Sequence, residues 1–210
     1  MTKRDRRTFL AGAAALTVAT ARAEAQQTTR IDLETADYAG AITGSGAPAH
    51  WELRVDPTAP TKRKVLAQTS ADKTDYRFPL AILDAPAPAN LDVSVRFKPV
   101  AGDVDRAAGL AARLRDRDNY YVVRANALED NVRLYKMVGA QRLQFAGANA
   151  KVPSGVWQEL RLKVDGSRFE VFLDGKSLYT ASDATFAVAG RVALWTKADS
   201  VTYFDDLRIG

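Results

Sequence analysis

Apolar and polar residues alternate along the stretch from Gly109 to Tyr135, and this pattern predicts consecutive β-strands. Two runs, at residues 109–115 and 120–126, place mainly apolar side chains on one face and Arg, Tyr and Asn on the other. Period-two alternation indicates strands that are buried on one side only. Residues 116–119 and 128–131 are rich in Asp and Asn, which favour turns because they hydrogen-bond their own backbone. We therefore expect an antiparallel meander.

Similar short runs continue to the C-terminus and predict an all-β chain. Asp165-Gly166 and Asp174-Gly175 are typical of tight hairpins. Beyond residue 25 there is no segment of useful length with helical periodicity and no repeat of solenoid length. Short strands spaced about 8–12 residues apart indicate a two-sheet antiparallel β-sandwich. Its core is predicted to contain Leu110, Leu114, Tyr121, Val123, Leu160, Leu162, Phe172 and Leu194.

Residues 1–25 are expected to be an export signal of the twin-arginine type. Four basic residues precede Thr8, an apolar run extends from Phe9 to Ala21, and Ala23-Glu24-Ala25 has the small-x-small pattern of a cleavage site. The apolar run is too short to span a bilayer, and Arg6–Leu10 matches the twin-arginine pattern. A plain secretory signal with a chance Arg pair is the alternative. Both predict a periplasmic or secreted protein, with no membrane span once the signal is removed.

We expect residues 26–46 to be a partly disordered lead-in and residues 47–210 to form the sandwich domain. The signal holds five basic and two acidic residues, so it carries +3 of the formal net charge of +5. A remainder of about +2 is too small to indicate a nucleic-acid partner. The chain has no cysteine and a single histidine, His50. A disulfide framework, a thiolate metal site and a multi-histidine zinc site are therefore excluded.

Five segments resemble concanavalin A-like lectin/glucanase domains: Asp116–Arg124, Leu128–Tyr135, Val156–Arg161, Phe169–Lys176 and Trp195–Asp206. Within that superfamily the chain resembles the exported bacterial group described as 3-keto-disaccharide hydrolase domains, which are family 16 glycoside hydrolase-like. The resemblance covers about Trp51 to the C-terminus. It implies a jelly-roll sandwich that binds a saccharide or a cell-envelope glycan on its concave sheet. Hydrolysis of a glycoside or a 3-keto-disaccharide is the alternative function.

Carboxylates are the candidate catalytic groups. Family 16 glucanases use an E-x-D-x-x-E strand, and this chain contains no E-x-D. Glycoside hydrolysis needs two carboxyl groups, about 5–5.5 Å apart for retention or about 6.5–9.5 Å for inversion. Glu129 and Asp130 are candidates for one half of such a pair, with Asp116, Asp118 or Asp199 as the other. The alternative is that residues 129–131 form a solvated turn.

Asp116 and Asp118 also offer oxygen ligands for calcium, together with Asn119 and backbone carbonyls. Their alternative role is that of ordinary turn residues, and no other cofactor is expected.

Six residues are predicted to line a saccharide-binding groove, because each lies opposite the apolar residues of its own strand. Sugars present flat C–H faces to aromatic rings and hydroxyls to Arg, Lys and Asn. The alternative is that the Trp belongs to the core and the arginines pair with nearby carboxylates. The six are Arg113, Tyr120, Arg124, Asn126, Trp195 and Lys197.

Overall fold

The computed structural model describes residues 28–210, and the export signal expected at residues 1–25 lies outside them. No helix within the described range is long and apolar enough to cross a membrane. The described residues form strands β1 (Thr29–Ile31), β2 (Tyr38–Gly44), β3 (Trp51–Arg54), β4 (Val65–Gln68), β5 (Arg77–Ala87), β6 (Leu91–Ala101), β7 (Ala107–Asp116), β8 (Asn119–Asn126), β9 (Asn131–Val138), β10 (Gln141–Asn149), β11 (Gln158–Asp165), β12 (Arg168–Leu173), β13 (Lys176–Ser182), β14 (Gly190–Trp195) and β15 (Val201–Ile209).

These strands build two antiparallel sheets. One has eight strands, in the order β13-β12-β11-β6-β15-β4-β3, with β1 also paired to β15. The other has seven strands, in the order β10-β9-β8-β7-β14-β5-β2. The predicted two-sheet antiparallel β-sandwich is confirmed. β1 and β2 fall within residues 26–46, so the described part of the expected lead-in contributes a strand to each sheet.

The main core lies between the sheets and contains six of the eight predicted core residues, which confirms their placement. These are Leu110, Tyr121, Val123, Leu160, Leu162 and Leu194. Leu114 and Phe172 differ from the prediction. The register of β7 against β8 shifts between Ala112 and Asp116, and Leu114 is buried on the other face of its sheet. Phe172 is half-buried and faces outward under the guanidinium of Arg161, because its neighbours on β12 alternate inward.

The central strands β7, β8 and β14 of the seven-stranded sheet are buried on both faces. The outer face of this sheet carries a second apolar cluster, in which the Trp195 and Phe78 rings stack 5.4 Å apart with an angle of 16° between their planes. We call this group the outer cluster. Its members are Phe78, Leu80, Ile82, Ala107, Ala111, Leu114, Tyr120, Val122, Tyr135, Met137, Ala193 and Trp195.

Contacts across the outer face show why these side chains are enclosed. Tyr76, just before β5, donates its hydroxyl hydrogen to the carbonyl of Ala140 in the β9–β10 turn, 2.8 Å away. The same Tyr76 oxygen accepts a hydrogen bond from the backbone N of Arg142, also at 2.8 Å. Thr43 on β2 bonds the carbonyl of Arg117 in the β7–β8 turn. These partners lie several strands apart in the sheet. The sheet is therefore strongly curved, and β2 and the start of β5 contact the β7–β8 and β9–β10 turns across the outer cluster.

Gly109 on β7 provides the space in which the Trp195 ring lies. A Cβ atom at Gly109 would lie 2.9 Å from the Val123 carbonyl oxygen and 3.0 Å from Cε3 of Trp195. The first contact is shorter than packed Cβ atoms show, and the second would require the indole to shift. The missing side chain therefore lets the indole lie directly against the sheet.

We expect Gly109→Ala to destabilise the fold by roughly 1–3 kcal/mol, the range for overpacking a dense core. Gly40→Ala on β2 is the matched control, since its nearest neighbour would be Cδ1 of Trp51 at 3.9 Å. Urea unfolding measures both variants. Equal stability of the two variants would show that the indole does not press on β7.

Candidate functional site

The structure separates Arg113 from the other predicted groove residues. Arg113 is buried, and its guanidinium donates to three backbone carbonyls, those of Ala89, Phe186 and Gly166, at 2.7–2.9 Å. Its φ angle of 49° marks the left-handed backbone at the irregularity in β7. The placement of Arg113 in a groove is therefore wrong, because its side chain holds three loops together.

Tyr120 and Trp195 lie in the outer cluster with 0% of their surface exposed. The indole N–H of Trp195 donates to the Tyr120 hydroxyl at 3.2 Å, and that hydroxyl lies 2.8 Å from Oγ1 of Thr43. Burial raises the pKa of Tyr120. The prediction that these two rings form an exposed platform for a sugar is wrong, because the curled sheet encloses them.

Arg124, Asn126 and Lys197 converge on one buried carboxylate, that of Asp105. Lys197 Nζ lies 3.0 Å from Oδ2 of Asp105, and Arg124 Nη1 lies 3.9 Å from the same oxygen. Asn126 Nδ2 donates to Oδ1 at 2.9 Å. Lys197 also reaches Asp75, 2.5 Å away. Three of the six predicted groove residues are thus brought together.

Asp199 fixes the loop that carries Asp105. Its carboxylate accepts hydrogen bonds from the backbone N–H groups of Asp103, Val104 and Asp105, at 2.8–3.2 Å. Burial opposes ionisation, but these donors outweigh it and lower the pKa of Asp199. Asp199 is consequently engaged with backbone and positions Asp105.

Glu129 lies at the open side of this network, with 51% of its side chain exposed. Its Oε2 accepts hydrogen bonds from Arg124 Nη2 and Asn131 Nδ2, each at 2.8 Å. Burial works against ionisation, but these donors and the Arg124 charge lower the pKa of Glu129. Asp130 instead bonds Lys151 Nζ and the N–H of Val152, at 2.7 and 3.0 Å. Glu129 therefore belongs to the network, and the Asp130 carboxylate is engaged elsewhere.

Asp105 and Glu129 have their pKa values shifted in opposite directions. Burial raises the pKa of Asp105, although Lys197 and Arg124 act against it, whereas the pKa of Glu129 is lowered. Both carboxylates face the guanidinium of Arg124. Two carboxyl groups shifted apart in this way have the electrostatics of an acid and base pair.

Sequence reasoning missed three residues beside this network: Asp75, Tyr76 and Arg142. Tyr76 is 42% exposed and its ring packs edge-on against Phe78, with centroids 4.8 Å apart. The Arg142 guanidinium lies 4.8 Å from the Tyr135 ring and 4.9 Å from the Phe78 ring. Alternation could not find them, because they approach the network only when the sheet curls.

We call this group the rim site: Asp75, Tyr76, Asp105, Arg124, Asn126, Glu129, Arg142 and Lys197. It combines buried, paired charges with the exposed side chains of Asp75, Tyr76 and Glu129. It can offer hydrogen-bond donors, acceptors and one exposed aromatic ring to a polar ligand.

The predicted calcium ligands are used within their own turn. Asp116 accepts hydrogen bonds from the N–H of Asp118 and from Nδ2 of Asn119, at 2.8–3.1 Å. Across residues 28–210, no group of three or more His, Cys, Asp or Glu side chains is placed to hold a metal ion.

A separate cleft lies between β1, β15 and the loop before β4, on the eight-stranded sheet. Arg30 pairs with Asp206 at 2.8 Å, Lys64 with Glu34 at 3.6 Å, and Arg63 with Asp32. All three cations lining the cleft are thus already in ion pairs.

Solved structures superpose on this chain over most of its length. The carbohydrate-binding module CBM66 from Bacillus subtilis has a TM-score of 0.64 at 17% identity, covering 80% of this chain and 94% of that one. A Bacillus subtilis protein of unknown function with a galectin-like fold has a TM-score of 0.59 at 10% identity, covering 81% and 88%. Domain 4 of AbnA, a GH43 extracellular arabinanase from Geobacillus stearothermophilus solved with arabinotriose, has 0.51 at 16%, covering 81% of each.

The chain has a concanavalin A-like, galectin-like fold. The resemblance seen in the sequence is thereby confirmed at the level of fold. No family model and no curated protein matches the sequence. Identities of 10–17% establish the concanavalin A-like fold alone, because one fold hosts many functions.

We expect Trp195→Ala to lower the free energy of unfolding by roughly 3–5 kcal/mol, the cost of deleting a fully buried Trp. Trp157→Ala is the comparison, since Trp157 is only half-buried and bonds Oγ1 of Thr58. Denaturant unfolding measures both. A cost below about 1 kcal/mol for Trp195→Ala would mean that the indole is open to solvent, as a stacking platform would be.

Proposed function

We propose that this protein is an exported carbohydrate-binding β-sandwich that binds a saccharide at the rim site. The main observation behind this proposal is that Arg124, Asn126 and Lys197 all contact the Asp105 carboxylate. The exposed side chains of Tyr76 and Glu129 lie beside this group. Sugar hydroxyls both donate and accept, so fixed cations and carboxylates suit them. Tyr76 offers a ring face to the C–H side of a sugar.

The comparisons support this proposal through the kinds of protein that share the fold. CBM66 is a carbohydrate-binding module, and domain 4 of AbnA was solved with arabinotriose bound. The resemblance to exported bacterial saccharide-active domains points in the same direction. The export signal expected at residues 1–25 supports a periplasmic or secreted location, where a cell-envelope or extracellular glycan is the partner.

Hydrolysis of a glycoside or a 3-keto-disaccharide is the second candidate function. It is favoured by the opposed pKa shifts of Asp105 and Glu129 around Arg124. In that function Glu129, which stays ionised, is the base or nucleophile, and Asp105 is the acid. Asp105 is only 1% exposed, however, and three side chains face its carboxylate. This enclosure makes binding the better-supported function.

The test is an array of oligosaccharides screened for binding and for cleavage, followed by calorimetry on the best ligand. We expect Tyr76→Ala to weaken binding by about 0.5–1.5 kcal/mol, the contribution of an aromatic contact. Tyr76→Phe keeps the ring, loses the two hydroxyl hydrogen bonds and should bind nearly as wild type. Unfolding curves for both variants separate loss of binding from loss of fold.

Absence of binding to every saccharide on the array would contradict the proposal. Glu129→Gln, at an exposed position, separates the two functions. Cleavage that disappears while binding persists supports the hydrolase, and binding without any cleavage by the wild type supports the binding protein.

A further inference from the structure

Arg142 differs from the buried cations of the seven-stranded sheet. Arg124 and Lys197 have carboxylate partners, and Arg113 donates to three carbonyls. Arg142 Nη1 is buried without a hydrogen-bond partner, and among residues 28–210 no carboxylate lies at ion-pair distance from its guanidinium. In the part of the chain that the structure describes, its guanidinium packs against the Tyr135 and Phe78 rings.

This arrangement leaves the Arg142 guanidinium without a carboxylate at ion-pair distance among the described residues. An unpaired cation in apolar surroundings is costly, and ring faces offset only part of that cost. The two rings beside the guanidinium also restrict its movement, which reduces the entropy lost when it binds a planar anion. A fixed guanidinium matches a carboxylate with two parallel hydrogen bonds.

Within the rim site, the Arg142 side chain is open to a ligand. Its side chain is partly exposed, and its backbone N–H bonds the hydroxyl of Tyr76. Its charge also acts on Asp75, whose pKa is lowered first by the hydrogen bond from Lys197 and further by Arg142. A ligand lying against the exposed Tyr76 ring therefore comes next to the guanidinium.

We propose that the saccharide bound at the rim site is acidic, and that Arg142 binds the carboxylate of a uronic acid unit. This inference rests on the proposed saccharide-binding function. It specifies that the saccharide is acidic, and it names Arg142 as the residue that binds the carboxylate.

The experiment is calorimetry with oligouronates of the glucose, galactose and mannose series, each paired with its fully methyl-esterified form. The ester keeps the sugar and removes the charge. We expect at least one oligouronate to bind tenfold or more tightly than its ester, and Arg142→Gln to abolish that difference. Arg142→Lys, which keeps the charge without the planar fork, should retain part of it.

Arg133→Gln is the control, because Arg133 is a half-buried arginine on the neighbouring strand that bonds Asn149. It should leave the preference for the acid unchanged, and thermal unfolding of all three variants checks their fold. Equal binding of acids and esters, or a preference that survives Arg142→Gln, overturns this inference and leaves the proposed function standing. If no acid, ester or neutral saccharide binds, both the proposed saccharide-binding function and this inference are contradicted.

Discussion

Curling of the seven-stranded sheet over its own outer face is the constraint on which the rest of the structure depends. Sheets twist with a fixed hand, so diagonally opposed corners of a large sheet move toward each other. Here that movement brings Tyr76 to the β9–β10 turn and Thr43 to the β7–β8 turn. The space left between them is filled by Trp195, Phe78 and their neighbours. Burial of these large rings stabilises the curl, since each contributes on the order of 1.5–3 kcal/mol or more.

The position of the rim site follows from this curl. Apolar side chains fill the enclosed part of the outer face, and the charged ones collect where the face remains open. Charges in such a place must be paired or hydrogen-bonded. Arg113 and Arg77, both buried, use backbone carbonyls for this purpose and so hold loops in place. Arg124 and Lys197 use carboxylates, which keeps them together beside an exposed ring.

Alternation of apolar and polar residues was enough to predict the strands, the two sheets and six core residues, because burial on one face imposes period two. It failed at Leu114, where a register shift in β7 exchanges the faces. It also failed at Trp195, because a residue opposite the core is exposed only if the sheet is flat. The grouping of Arg124, Asn126 and Lys197 was predictable from a shared face. The positions of Asp105, Tyr76 and Arg142 were not predictable. Contacts made by loops and by the corners of a sheet do not show in the alternation of apolar and polar residues.

The enclosure of Trp195 is tested most directly by hydrogen–deuterium exchange of the three indole N–H groups. Nuclear magnetic resonance measures the exchange rate of each one. The account predicts that the Trp195 indole, bonded to Tyr120 within the outer cluster, exchanges only through unfolding and is the slowest of the three. The half-buried Trp157 indole, bonded to Thr58, should exchange quickly. Exchange of Trp195 as fast as that of Trp157 would contradict the account, because it would mean that the outer face is an open groove.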